Sequence, residues 1–236
     1  MGLDVYVGSL TRYYAGDWEL IAQQAAREMG VPLRIVRSQN DPPDAIRDPD
    51  SIRPVVKQWR SQLSESLVEH LSEPLDWNEE ADAPYFTDKP AWDCYSDLLL
   101  WAAYSDHTEL VRPENSVEDF GDDPAYARST MKDFRSRCSH LLEVEWWLPC
   151  DFNFVFQAEK VGGGPVLIGS SVALMRQLED LNSRTWRAEL DLLCAWRREG
   201  SEHGAPLESG ARFAFALFQD LAAKSVANRL PMLLDY

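Results

Sequence analysis

The sequence predicts an α+β protein: helix-rich, with about seven helices around a small mixed sheet of four or five short strands, in one domain spanning residues 1–236. Three observations carry this. Apolar and polar residues alternate near the start and again around residue 152, as half-buried strands require. Longer stretches set apolar residues at helical spacing between capping residues. A composition 45% hydrophobic and 26% charged, with nine tryptophans, belongs to a chain that folds.

Leu3, Val5 and Val7 alternate with Asp4 and Tyr6, which predicts an opening strand, followed by a loop from Ser9 to Gly16. Asp17 is the expected N-cap of a helix carrying Trp18, Ile21, Ala22, Ala25 and Met29, with Gly30 as its stop. Leu33, Ile35 and Val36 read as a second strand. The strand, helix and strand together predict a parallel crossover.

A proline-marked loop follows, then a helix opening near Pro54 on the stripe Val55, Trp59, Leu63, Leu67 and Leu71 and ending before Pro74. His70 flanks that stripe as a packed side chain. After an acidic loop from 75 to 88, Asp88 caps a helix from about Pro90 to Tyr104. Its inner face is Trp92, Tyr95, Leu98, Leu99 and Ala102, and Asp93, Asp97 and Trp101 line up on the opposite face at i, i+4 and i+8.

Residues 105–123 form a polar, acidic, mobile connection. Asp123-Pro124 then opens a helix with the core stripe Ala127, Met131, Phe134, Cys138 and Leu141, and a basic stripe of Arg128, Lys132 and Arg135. Phe152, Phe154 and Phe156 alternate with Asn153, Val155 and Gln157 ahead of Gly162-Gly163-Gly164 and the run Pro165 to Ile168, predicting a hairpin with all three rings on one buried face. Ser170 or Ser171 caps the next helix, Thr185 to Arg198 forms another that stops at Gly200, and a last one runs from about Glu208 to Arg229. The tail from Leu230 to Tyr236 is too apolar to remain in water and is expected to dock on the body.

With 39 acidic and 23 basic residues the formal charge is −16, which repels nucleic-acid phosphates and anionic membranes. The partner expected is therefore a basic protein, with no nucleic acid and no membrane, and the chain is expected to be a monomer or weak dimer. The start from Met1 has no basic or apolar leader pattern, and the longest apolar run, Leu98 to Tyr104, is far short of the roughly 20 residues a membrane span needs. A reduced, cytoplasmic protein is expected.

No catalytic motif emerges. Cys94, Cys138, Cys150 and Cys194 lack ligand spacing, so no metal and no cofactor are expected. The triple glycine leads into a strand without the Gly-Lys-Ser/Thr of a phosphate loop, and Gly169-Ser170-Ser171 lacks the final glycine of a nucleophile elbow, where Ala173 stands. The four histidines show no spacing that selects a general base.

Between Asp76 and Asp97 stand seven carboxylates and five aromatic rings with one base, Lys89. Carboxylates provide sign and range, and aromatics provide contact area. The sequence thus points first to an acidic interaction protein, of inhibitor or immunity type, whose binding residues include Asp93, Asp97 and Trp101. The alternative is a small hydrolytic enzyme with a polar-ligand site at Arg12, Tyr13 and Tyr14 in the loop after the first strand.

Overall fold

The computed structural model describes residues 3–32, 47–202 and 204–236. Among them six strands form one mixed sheet: β1 (Asp4–Val7), β2 (Phe86–Asp88), β3 (Trp146–Leu148), β4 (Phe156–Glu159), β5 (Pro165–Ser170) and β6 (Met232–Asp235). The spatial order is β2-β1-β6-β3-β5-β4. Only β3 and β5 run parallel, with Trp146 opposite Ile168, and the other neighbours are antiparallel. Nine helices surround the sheet among the described residues: α1 (Leu10–Ala15), α2 (Ile21–Glu28), α3 (Pro49–Ser66), α4 (Trp92–Asp106), α5 (Pro124–Ser129), α6 (Ser139–Leu142), α7 (Ser171–Arg184), α8 (Leu190–Glu199) and α9 (Leu207–Asn228). The α+β class expected from the sequence holds, with one more strand and two more helices than expected.

The sheet is covered on both faces, and the two-residue period of its strands assigns each side chain to a layer. Val5, Val7, Trp147, Met232 and Leu234 face a core built with α4, α7 and α9. Tyr6, Trp146, Leu148, Ile168 and Leu233 face a second core shared with α1 and α3. The apolar tail does dock, and does so as an inner strand: β6 pairs with β1 on one side and β3 on the other.

Local chemistry explains several boundaries and corrects others. Residues 9–16, expected as a loop, form α1, because the Ser9 hydroxyl accepts the Arg12 amide at 3.2 Å and Gly16 closes the helix in the left-handed region. Asp17 caps nothing, and α2 starts four residues later. Both described neighbours of β1 are antiparallel, which removes the topological argument for a ligand site after it. The expected strand at Leu33, Ile35 and Val36 lies outside the described residues. Helix α3 opens at Pro49 under an Asp48 cap, with Pro54 inside it. Its end at Ser66 leaves His70 exposed, 5.9 Å from the Phe154 ring.

The helix opened by Asp123-Pro124 is only six residues long, so Met131 (57% exposed) lies outside the core, and Arg128, Lys132 and Arg135 share no helical face. The glycine-tipped hairpin is present, Gly163 and Gly164 supplying positive φ, but its strand begins at Phe156. Phe152 and Phe154 precede it, and only Phe152 of the three rings is buried, although they pack within 6 Å of one another. Residues 185–189 are not helical, and α8 starts at Leu190.

The α4–α9 contact is the tightest part of the core. Every residue from Cys94 to Tyr104 is buried, and α9 presents Gly210, Ala211 and Ala214 to it. A Cβ at Gly210 would stand 2.1 Å from Asp97 Oδ2 and 3.3 Å from Asp97 Cβ. Replacing a helical glycine by alanine ordinarily stabilises by about 0.5–1 kcal/mol. Gly210→Ala should instead destabilise by about 1–3 kcal/mol, and adding Asp97→Ala should recover most of the loss. Urea denaturation of both single variants and the double variant checks this; a gain in stability for Gly210→Ala alone would refute the contact.

Candidate functional site

The structure divides the carboxylates of the 76–97 stretch into those that hold the fold and those that face water. Asp76 pairs with Arg60 at 3.0 Å and Arg229 at 2.6 Å. Glu79 accepts the Leu10 and Thr11 amides, both at 2.9 Å, and the Trp77 indole N–H at 2.6 Å. It therefore acts as an anion at the N-terminus of α1, where the first amides have no helical partner. Asp88 binds Arg197, which also pairs with Asp220. Glu80 and Asp82 are exposed.

Helix α4 has no solvent face beyond its first turn, which corrects the placement of two expected binding residues. Asp93 is exposed. Asp97 (2% exposed) and Trp101 (4%) are buried, because α9 and the 107–123 segment cover the side expected to face water. Asp97 Oδ2 accepts the Ser116 hydroxyl at 2.8 Å, and its Oδ1 has no partner among the described residues. Burial, opposed by the Ser116 bond and assisted by the neighbouring charge of Asp93, raises the Asp97 pKa to about 7. Trp101 stacks on Trp186 at 4.8 Å, with the Arg112 guanidinium 3.4 Å from its ring centroid.

Asp97 leads to the exposed acidic edge. Residues 107–123, expected to be mobile, are tied down repeatedly: the Leu207 amide donates to the Glu114 carbonyl at 3.0 Å, Asn115 bridges Pro206, Ser116 holds Asp97 and Phe120 packs edge-on to Tyr126. Asp123 closes the segment, accepting the Ala125 amide and the Tyr104 hydroxyl. Between these anchors Glu114, Glu118, Asp119 and Asp122 are exposed, and none forms an ion pair among the described residues. The Pro206 contact brings the start of α9 alongside; Glu199, which lines the same cleft as Pro206, and Glu202 are exposed. The sequence signal was present in the acidity of 105–123, but nothing in one dimension shows that α9 and Asp97 hold this segment in place.

Arg12, Tyr13 and Tyr14 of the alternative site are half-buried. Arg12 donates to the Ala81 and Ala83 carbonyls and lies over the Tyr85 ring, and Tyr13 donates to Asp235 at 2.6 Å. Burial raises the pKa of Tyr13 and pushes that of Tyr14 up to about 12. A serine and a histidine do meet elsewhere: His140 Nδ1 accepts the Ser170 amide at 2.9 Å. Both are fully buried, the Ser170 hydroxyl donates to the Cys150 carbonyl and caps α7, and burial lowers the His140 pKa to about 4. Their contacts are those of a core.

Fold and site thus define an acidic interaction protein, with an anchored edge of unpaired carboxylates on a rigid two-sided sheet. A family model described as "Putative DNA-mimic protein" matches residues 1–234, and the chain belongs to that family. No curated protein and no solved structure matches it. The family match overturns the partner expectation drawn from charge alone, in which nucleic acid played no part: a DNA mimic is defined by its likeness to DNA. Among the described residues no helix is long and apolar enough to cross a membrane.

Two outcomes separate structural from surface carboxylates. Glu79→Ala should destabilise by about 1–3 kcal/mol through the amides it leaves unpaired, whereas Glu80→Ala and Asp82→Ala should stay within about 0.5 kcal/mol; thermal melts of the three compare them. Because the folded pKa of Asp97 lies above its ordinary value of 3.8, the unfolded chain ionises first. Wild-type stability should therefore fall as pH rises from about 4 to about 7. Asp97→Asn should flatten that decline and gain relative stability at pH 8, which denaturant titrations at pH 4, 6 and 8 measure. Parallel pH profiles for the two proteins would contradict the buried, ionisable assignment.

Proposed function

We propose that this chain occupies the DNA-binding surface of a protein partner, its acidic edge standing in for the phosphates of a duplex. The observation that carries the reading is that Glu114, Glu118, Asp119 and Asp122 are exposed and form no ion pair among the described residues, on a segment anchored at both ends and in the middle. Family membership supports it. Fixing these carboxylates matters because a mobile acidic loop would lose conformational entropy on binding. Glu199 and Glu202 widen the charged area. Asp97 and Trp101 serve it from beneath, by holding the segment that displays the charges.

The mechanism is competition. Arginines and lysines arranged to receive phosphates meet carboxylates instead, with fast, salt-sensitive association. Proteins captured from a cell lysate on the immobilised chain should be released by excess duplex DNA and, once purified, should lose DNA in mobility-shift assays as this chain is added. The variant Glu114→Gln/Glu118→Gln/Asp119→Asn/Asp122→Asn should bind them at least about tenfold more weakly at low salt and with a shallower salt dependence. Captured proteins that duplex DNA does not displace, or that the variant holds equally well, would refute the proposal.

A further inference from the structure

Beside the hairpin tip, a cavity of about 180 Å³ is lined by Tyr13, Tyr14, Trp146, Lys160, Asp235 and Tyr236, among others. Three of its lining rings are set at steep angles to one another. The Tyr13 and Tyr14 rings lie 5.2 Å apart at 87°, Tyr13 and Trp146 6.5 Å apart at 79°, and Tyr14 and Trp146 6.3 Å apart at 56°. The half-buried ring of Tyr14 lies beside the hairpin tip, where a Cβ on Gly162 would stand 3.5 Å from its Cε1, and the exposed Tyr236 ring packs edge-on to Trp92 of α4 at 5.2 Å. The Asp235 carboxylate joins this ring of aromatics, oriented by the Tyr13 hydroxyl at 2.6 Å.

We propose that this cavity is a cage for a substituted ammonium head, such as a methylated lysine side chain or a small quaternary amine. Aromatic faces carry negative charge density and attract cations within about 6 Å, and Asp235 adds a formal charge that excludes anionic ligands. The chain already shows the preference in a weak form: Lys160 Nζ stands 6.0 Å from the Trp146 ring centroid and 3.9 Å from Glu145. A bulky, weakly hydrated ammonium fits such a box better than a strongly hydrated one, because fewer water contacts are given up on entry. The site is separate from the acidic edge and does not depend on the DNA-mimic reading.

Calorimetric titration of the full chain with tetramethylammonium, with a short peptide carrying trimethyl-lysine, and with the same peptide carrying plain lysine tests this, 3,3-dimethylbutanol serving as the uncharged isostere. The methylated cations should bind at least about tenfold more tightly than the alcohol, within the range that cation–π attraction provides. Binding of tetramethylammonium alone would identify a small-molecule site, and stronger binding of the trimethyl-lysine peptide a side-chain site; either supports the cage. Tyr14→Leu and Asp235→Asn should each weaken binding several-fold and Lys160→Met should strengthen it. Tyr14→Phe, which keeps the ring, should retain it even if Tyr14→Leu proves unstable. Equal binding of the alcohol, indifference to Tyr14→Leu and Asp235→Asn in folded protein, or loss of binding in the four-residue acidic-edge variant would overturn the proposal.

Discussion

Residues 232–235 are hydrogen-bonded along both edges, to β1 on one side and β3 on the other, so one four-residue strand joins a sheet whose halves come from distant parts of the chain. Everything else is arranged around that insertion. Met232 and Leu234 enter the core beneath α4 and α9, and Leu233 enters the core beneath α1 and α3. Because side chains alternate strictly, a slip of one residue in this strand would exchange its contributions to the two cores. The turn that delivers it is fixed as well: Arg229 takes a left-handed conformation after α9, and the Ser225 hydroxyl holds the Leu230 carbonyl at 2.6 Å.

A charge of −16 concentrates where bases do not reach it. Many arginines meet carboxylates within the chain, as Arg60 and Arg229 meet Asp76, Arg176 meets Asp151, Arg184 meets Asp180 and Arg197 meets Asp88 and Asp220. Exposed pairs of this kind contribute about 0–1 kcal/mol each, so their main consequence is for the electrostatic field. They cancel much of the positive charge locally and leave exposed carboxylates without an ion pair among the described residues, on the segment after α4 and also elsewhere, as at Glu65, Glu69, Glu80 and Asp82. The fold separates carboxylates into two groups with different surroundings. Glu79, Asp97 and Asp123 satisfy helix ends or hydroxyls, while Glu114, Glu118, Asp119 and Asp122 remain in water.

The two ends of the molecule differ in kind. On the α4–α9 side the fold displays charge on a segment held to the body by the Leu207, Asp97 and Tyr104 contacts. On the α1–α3 side the sheet is overlaid by aromatic rings, from Tyr6, Tyr13 and Trp18 to Trp59, Trp77 and Trp146. Such rings fill volume with few rotatable bonds, and where three of them meet beside Asp235 they leave a small polar-ended cavity.

Elements governed by neighbouring residues were legible in the sequence. Asp123 and Pro124 start a helix because a carboxylate can accept the first amides and proline lacks the one it does not need; Ser170 caps α7, and Gly200 ends α8. The alternation of Val5, Tyr6 and Val7 and the apolar period of α9 likewise follow from burial against a partner surface, whatever that partner is. Composition alone set the sign of the surface. What the chain could not show in one dimension was which surface each face would meet. Asp97 and Trp101 have the spacing of a solvent face, and only the approach of Gly210 and Ser116 buries them. Glu79 resembles its acidic neighbours until the N-terminus of α1 arrives beside it. Helical period and capping are contacts between near neighbours in sequence, whereas strand order, the covering of α4 and the anchoring of the acidic segment depend on contacts between residues as far apart as Tyr13 and Asp235, and those the tertiary structure decided.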